Sequence, residues 1–195
     1  MAGLTPERLY QVSLELFARY GFRRTRVEDI AGELEVAAGT LYRYARSKRE
    51  LYEKTVSFGI RRWQARVFDA IAGIGDAREQ FLVMARAGFG YLEEDAALRS
   101  ILIQDPQFFP LSPRKVRFPE IDTASVSLIR TILERGIRQG VFRALDTEAA
   151  AELLYSFYVM FIIKTYITSE GRTASQMFEH GLDLMLAGLL QRPEG

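Results

Sequence analysis

Residues 25–51 decide the fold of this chain, and they read TRVEDIAGELEVAAGTLYRYARSKREL. The spacing of their apolar residues predicts two short helices joined by a tight turn, followed by the capped start of a longer helix. The second short helix, predicted over residues 36–44, carries small side chains and Thr40 where the edge of a base pair would approach. We therefore interpret the segment as a helix-turn-helix whose second helix enters the major groove of DNA.

The side chains of this segment suit two kinds of DNA contact. A threonine hydroxyl or an alanine methyl group can contact a base edge. Tyrosine hydroxyls, and cations near a helix N-terminus, suit phosphate oxygens and fix the position of the protein without reading sequence. The predicted DNA-contacting residues are Thr25, Arg26, Ala37, Ala38, Thr40, Leu41, Tyr42, Arg43, Tyr44 and Lys48.

Net charge does not by itself indicate a nucleic-acid partner. The whole chain has a formal charge of +1, and residues 1–50 hold nine basic side chains against seven acidic ones. The placement of the charge is more informative, because Arg23, Arg24 and Arg26 precede one predicted helix, and Arg43, Arg46 and Lys48 lie beside the next. Such clusters are common on solvated surfaces, and only their position beside the helix-turn-helix favours phosphate contact.

Composition excludes several classes of protein. The 195 residues contain no cysteine and one histidine, His180, so disulfides, thiol nucleophiles and thiolate metal sites are excluded and a zinc site is not expected. The N-terminus lacks the apolar core of a signal peptide, and the longest apolar run, residues 153–163, is too short to span a bilayer. We expect a cytoplasmic protein that is not an enzyme, with no cofactor, no metal site, no catalytic residues and no membrane contact.

Helical periodicity extends over nearly the whole chain, which predicts an all-α fold of about nine helices. Thr5-Pro6 and Asp146 are predicted helix starts, Gly21 a helix end, and Thr25–Glu28, Ser47–Glu50 and Thr173–Gln176 capping boxes. Four prolines make residues 105–119 the one long irregular connection. We predict a DNA-binding domain over residues 1–50 and a larger helical effector-binding and dimerisation domain over residues 51–195, joined by the unbroken helix that begins near Ser47.

The helix-turn-helix segment resembles the DNA-binding domain of the TetR/AcrR family of bacterial transcriptional regulators. The resemblance covers about residues 9–55, and its elements are Leu16-Phe17, Gly21, Thr25, Val27, Ile30-Ala31, Gly39-Thr40-Leu41-Tyr42, Tyr44, Ser47-Lys48 and Leu51. Three positions depart from the family pattern. Glu35 occupies the usual glycine of the turn, where a left-handed glutamate costs on the order of 1 kcal/mol; Ala37 replaces a serine, and Ala45 replaces an aromatic residue.

The resemblance implies an effector pocket enclosed by the middle helices, although aromatic residues at helical spacing more often form plain core. An apolar lining would suit a hydrophobic or aromatic effector. The candidate pocket residues are Trp63, Phe81, Met84, Phe89, Leu102, Phe108, Phe109, Tyr155 and Tyr158.

The helix predicted over residues 147–168 is apolar nearly all round, so both of its sides need to be covered. A second copy of the chain is the natural cover, and it predicts a four-helix, two-fold symmetric interface formed with the last helix. The candidate interface residues are Phe157, Phe161, Met177, Phe178, Leu182, Met185 and Leu189.

Together these features predict a ligand-responsive transcriptional regulator that binds double-stranded DNA as a homodimer. Repression of a palindromic operator, relieved by a small-molecule effector, is the expected mode, and activation is left open. Two alternatives are a helical protein-interaction module that has lost DNA binding and an all-α enzyme acting on a hydrophobic substrate.

Overall fold

The computed structural model describes residues 4–105, 118–167 and 171–191, without the side chains of residues 167 and 171–175. Over these ranges the chain is all-α, as predicted, and its only extended pairing is an isolated antiparallel bridge between Phe142 and Leu190. The helices are α1 (Pro6–Arg24), α2 (Val27–Glu33), α3 (Ala38–Leu41), α4 (Lys48–Ile71), α5 (Ala77–Glu94), α6 (Ala96–Gln104), α7 (Pro119–Arg138), α8 (Thr147–Ile162) and α9 (Gly171–Leu189).

Local capping explains where several helices begin. The Thr5 hydroxyl accepts a hydrogen bond from the Arg8 N–H at 3.3 Å, directly before the N-terminal proline of α1. The Asp146 carboxylate accepts from the N–H groups of Glu148 and Ala149, both at 3.1 Å, at the start of α8. These bonds satisfy backbone donors that have no partner inside the helix. The predicted starts at Thr5-Pro6 and Asp146 are confirmed.

Helix α1 is interrupted at Gly21 rather than ended there. Gly21 has φ 78° and ψ 162°, a conformation that favours glycine, and helical structure resumes up to Arg24. Thr25 then terminates the helix, because its hydroxyl donates to the Gly21 carbonyl at 2.9 Å. The predicted Thr25–Glu28 capping box is therefore wrong by one residue, since the N–H of Arg26 donates instead to the Asp29 carboxylate at 2.9 Å.

Two helices end differently from the sequence prediction. Helix α3 is only four residues long, and turns take the place of helix at residues 42–44. Helix α8 ends at Ile162 and continues as a π-helical turn over Ile163–Ile167. Helix α9 begins at Gly171, so the predicted cap at Thr173 is wrong because this residue lies inside the helix. The connection over residues 106–117 lies outside the described residues.

The chain forms two compact units. Unit 1 comprises Met1–Arg62 and Leu92–Phe108, and unit 2 comprises Trp63–Tyr91 and Phe109–Gly195. Helices α4 and α5 thus each contribute residues to both units. The functional division predicted at residue 50 stays a prediction.

Unit 1 packs α6 against α1. The hydroxyl of Ser100 and the amide of Gln104 both donate to the Ala18 carbonyl, each at 3.1 Å. In a continuous helix the Ala18 carbonyl would accept a hydrogen bond from the N–H of Phe22, which lies beyond the interruption at Gly21. Side chains of α6 thus supply hydrogen-bond donors to α1 at the point where its backbone hydrogen bonding is interrupted.

Unit 2 has an aromatic core. The rings of Phe89 and Phe178 are parallel with their centroids 3.9 Å apart, and Phe142 lies against Gly136, where a Cβ atom would come within 2.0 Å of its ring. Of the helices in the described ranges, none combines the length and the hydropathy needed to cross a membrane.

Candidate DNA-binding site

The turn between α2 and α3 sets the position of the second helix. The N–H of Glu35 donates to the Gly32 carbonyl and the N–H of Val36 to the Ala31 carbonyl, both at 3.0 Å, which is the pair of bonds of a Schellman motif. Glu35 occupies the left-handed position, with φ 57°, and no other non-glycine residue among those described has positive φ. The strained glutamate predicted from the sequence is therefore confirmed.

Helix α3 presents a low, accessible surface. Ala37 and Gly39 are exposed, Ala38 and Thr40 are half-buried, and a Cβ atom built on Gly39 would meet nothing within 4 Å. Small side chains allow the helix backbone to approach a groove closely, and the Thr40 hydroxyl adds one hydrogen-bonding group. The exposure of these residues is what a base-reading surface requires, and their contact with DNA stays a prediction.

Exposed cationic and phenolic side chains precede and follow α3 in the sequence. Tyr42 is 50% exposed and lies directly after α3. Arginine side chains are exposed on both sides of the helix, and they are Arg23, Arg24, Arg26, Arg43, Arg46 and Arg49. Of these, Arg26 and Arg43 were predicted as DNA contacts, whereas Arg23, Arg24 and Arg46 were recognised only as clusters. Exposed cations of this kind supply the sequence-independent part of DNA affinity.

Two predicted contact residues are buried instead. Leu41 is 1% exposed and belongs to the core of unit 1. Thr25 is also 1% exposed, and its hydroxyl bonds the carbonyls of Gly21 and Leu16. Both side chains lack the exposure that a DNA contact requires, so their contribution is to pack and terminate the helices that carry the surface.

Tyr44 and Lys48 are half-buried and make intramolecular bonds. The Tyr44 hydroxyl donates to the Leu4 carbonyl at 2.5 Å. The Lys48 ammonium donates to the Arg23 carbonyl at 3.2 Å and lies 4.7 Å from the centroid of the Phe22 ring. A phenolic oxygen can still accept a hydrogen bond, and an ammonium group has three donors, so both groups retain capacity for a phosphate.

The start of α4 next to Lys48 is held by a modified capping box. The Ser47 hydroxyl accepts from the Glu50 N–H at 3.2 Å, while the Glu50 carboxylate accepts from the Arg46 N–H at 2.8 Å rather than from Ser47. Hydrogen bonds from the Lys54 ammonium and the Arg46 backbone hold the pKa of Glu50 below its usual value. The orientation of the first turn of α4 is fixed accordingly.

Comparison with known proteins agrees with this geometry. A family described as bacterial regulatory proteins, tetR family, matches residues 9–55, which contain the helix-turn-helix and its supporting helices. The HTH-type transcriptional repressor KstR2 of Mycobacterium tuberculosis is 25% identical over 185 residues, covering 93% of this chain and 90% of that protein. Residues 9–55 therefore match the tetR family, and the chain as a whole resembles a repressor of the helix-turn-helix type.

Two solved structures of ligand complexes share the fold of this chain. A transcriptional regulator of Saccharomonospora viridis in complex with choline has a TM-score of 0.74 at 22% identity, covering 95% of this chain and 97% of the other. The regulator FadR of Bacillus subtilis in complex with stearoyl-CoA has a TM-score of 0.72 at 19% identity, covering 95% and 100%. These likenesses establish the fold.

The candidate pocket residues separate into two groups. Phe81 and Phe89 are buried and pack against Phe142 and Phe178, and Met84 is also buried. Trp63, Tyr155 and Tyr158 are only half-buried, so part of each side chain is accessible. Leu102 lies in unit 1, where it is buried, and is therefore not part of the unit 2 cluster. Phe108 and Phe109 lie outside the described residues.

Several candidate interface residues are core residues of the single chain. Phe178, Leu182 and Leu189 are buried without a partner subunit, whereas Phe157 and Met177 are exposed, and Phe161 and Met185 are half-buried. The Phe161 ring packs edge-on against Phe178 at 5.9 Å. The prediction missed three exposed apolar side chains on α8 and α9, namely Leu153, Met160 and Leu184.

In the described part of the chain, no three histidine, aspartate or glutamate side chains are grouped so that they could hold a metal ion.

Proposed function

We propose that this protein is a homodimeric transcriptional repressor that leaves its operator when a small hydrophobic or aromatic effector binds. The observation that carries the proposal is the exposed, small-residue surface of α3, flanked by exposed arginines and held by the Schellman turn. The repressor KstR2, which matches nearly the whole chain, supports repression over activation.

The dimer supplies the geometry of operator recognition. Two copies related by a two-fold axis would present two α3 helices to successive major grooves of a near-palindromic site, about one helical turn apart. Exposed apolar side chains support a dimer interface on α8 and α9, and they are Leu153, Phe157, Met160, Met177 and Leu184.

Effector control acts through a shift between conformers with different affinity for DNA. Helix α4 begins at the capped end of the helix-turn-helix and continues into unit 2. An effector bound in unit 2 would favour a conformer in which α4 tilts, so that the two α3 helices no longer dock together.

Fluorescence anisotropy with DNA from upstream of the protein's own gene tests the proposal across a salt series. We expect tight, sequence-selective binding whose logarithm falls linearly with the logarithm of salt concentration. Thr40→Ala should alter the preference among operator variants, while Tyr42→Phe should weaken binding to all sequences by a similar factor. Equal binding to operator and random DNA at every salt concentration would reject the repressor function, and no binding to either DNA would favour the interaction module.

A further inference from the structure

A half-buried carboxylate lies beside accessible aromatic rings in unit 2. Asp122 on α7 accepts a hydrogen bond of 2.7 Å from the hydroxyl of Tyr155 on α8. Among the described residues no ion pair is formed by Asp122, although a desolvated charge normally requires one. The hydrogen bond thus fixes the direction of the carboxylate, and among the described residues no cation lowers its pKa.

The electrostatic surroundings make the ionised form of Asp122 less favourable. Burial raises the pKa of Asp122, and the neighbouring carboxylates of Glu120 and Glu152 raise it further, while the hydrogen bond from Tyr155 opposes them. A cation placed at Asp122 would relieve all three unfavourable contributions. The ionised carboxylate of Asp122 therefore destabilises the folded protein, and a bound cation would offset this cost.

Aromatic rings adjoin the carboxylate through a chain of contacts. Trp63 on α4 stacks on Tyr91 at a centroid distance of 5.7 Å and lies 6.4 Å from the Tyr158 ring. Its indole N–H donates to the carbonyl of Gly88 at 2.9 Å, and the Tyr158 hydroxyl lies so close to Gly88 that a Cβ atom there would come within 2.7 Å of it. The orientation of the indole is therefore fixed.

A second set of contacts joins α4 to α7. The Gln64 amide, next to Trp63, donates to the Ser125 hydroxyl at 3.0 Å and to the Ile121 carbonyl at 2.8 Å. Ile121 and Ser125 lie on the same helix as Asp122, so α4 and α7 are joined at this point. Tyr155, which bonds Asp122, and Tyr158, whose ring lies 6.4 Å from that of Trp63, are three residues apart on α8 and share one face of that helix. Asp122, Tyr155, Tyr158 and Trp63 are therefore linked in that order as one cluster within unit 2.

We propose that this cluster recognises the positively charged ammonium group of the effector, with Asp122 as its counter-ion and Trp63, Tyr155 and Tyr158 as its aromatic contacts. Electron-rich ring faces attract cations, with tryptophan the strongest, and quaternary ammonium groups are recognised by such rings. A desolvated carboxylate adds charge neutralisation. The proposal rests on the proposed function, since it names the chemical class of the effector.

The chain contains a single tryptophan, so the fluorescence of Trp63 reports directly on this cluster. Choline chloride is the probe, sodium chloride of equal ionic strength is the salt control, and 3,3-dimethylbutan-1-ol is the uncharged isostere of choline. We expect saturable quenching or a spectral shift with choline and at least about tenfold weaker binding of the alcohol.

Two variants separate the counter-ion from general charge effects. Asp122→Asn keeps an acceptor for the Tyr155 hydroxyl but removes the charge, and it should weaken choline binding about tenfold. Asp69→Asn removes an exposed charge from α4 that is not among those acting on Asp122, and it should change binding less than twofold, as expected for a screened charge. No saturable choline signal, equal binding of the alcohol, or an unaltered Asp122→Asn variant would each overturn the proposal.

Operator binding, measured without any effector, keeps this test distinct from the proposed function. Normal operator binding together with no response to choline would reject the ammonium site alone, and release by stearoyl-CoA instead would indicate an acyl ligand. Choline binding by a chain that does not bind DNA would reject the repressor function and retain the ammonium site.

Discussion

Glu35 is the residue at which the chain departs most clearly from local conformational preference. It adopts φ 57° in the Schellman turn, where a side chain costs on the order of 1 kcal/mol relative to glycine. We expect Glu35→Gly to stabilise the fold by up to ~1 kcal/mol, less the larger entropy of glycine in the unfolded chain. The apparent Tm should rise by about 2–4 °C in a thermal melt.

Glu33→Gly is the matched control, because it removes the same side chain from an exposed position two residues earlier. Glu33 is the last helical residue of α2 and has no positive φ. Glycine there should destabilise the protein by roughly 0.5–1 kcal/mol. If both variants shift Tm in the same direction, loss of charge rather than backbone strain explains the effect.

At the scale of helices, Arg62 joins three elements of unit 1. From α4 its guanidinium donates one hydrogen bond to Gln11 on α1 and another to Asp95 at the start of α6. The Asp95 side chain is 8% exposed and also accepts from the Leu98 N–H at 3.0 Å, which caps α6. Arg62→Met should cost about 1–3 kcal/mol, because it removes a cation from a nearly buried carboxylate.

Urea unfolding of a small set of variants checks this assignment. Gln11→Leu removes a neutral acceptor together with the exposed hydrogen bond of 2.6 Å that its amide donates to Glu15, and it should cost about 0.5–1.5 kcal/mol. The double variant Arg62→Met/Asp95→Asn should be less destabilised than the sum of its single variants, since asparagine retains the helix cap and no charge is left behind. Strict additivity would show that the two side chains do not act as a pair.

The helices could be predicted from the sequence because their signals are local. Capping residues and a proline placed the starts of α1 and α8 correctly. The partner of an apolar face is not a local property. The residues around Leu102 do not indicate that α6 packs on α1. Likewise, the spacing of apolar residues in α9 does not distinguish Phe178, which is buried by its own chain, from Leu184, which is exposed. Similarly, Leu41 lies within the motif but faces its core.

At the scale of the whole molecule, α8 and α9 keep exposed apolar side chains that a second copy would cover. On α8 these are Leu153, Phe157 and Met160, and on α9 they are Met177 and Leu184, the last being 75% exposed. Met177 and Leu184 are seven residues apart and therefore share a helix face with Gly181 and Gly188. Space beside Gly188 is open to a Cβ atom, so another helix can approach there closely.

Leu184→Glu should therefore weaken dimerisation while leaving the subunit folded. A two-fold interface contains the substitution twice, and losing about 1.5–3 kcal/mol of leucine burial per copy weakens association on the order of a hundredfold or more. Sedimentation velocity measures the monomer fraction, and Ala72→Glu, which places the same charge on an exposed turn, should leave the dimer intact. Because one α3 helix would contact only half of an operator, the monomeric variant should also lose selective DNA binding. If Leu184→Glu remains dimeric, the interface does not lie on this face of α9.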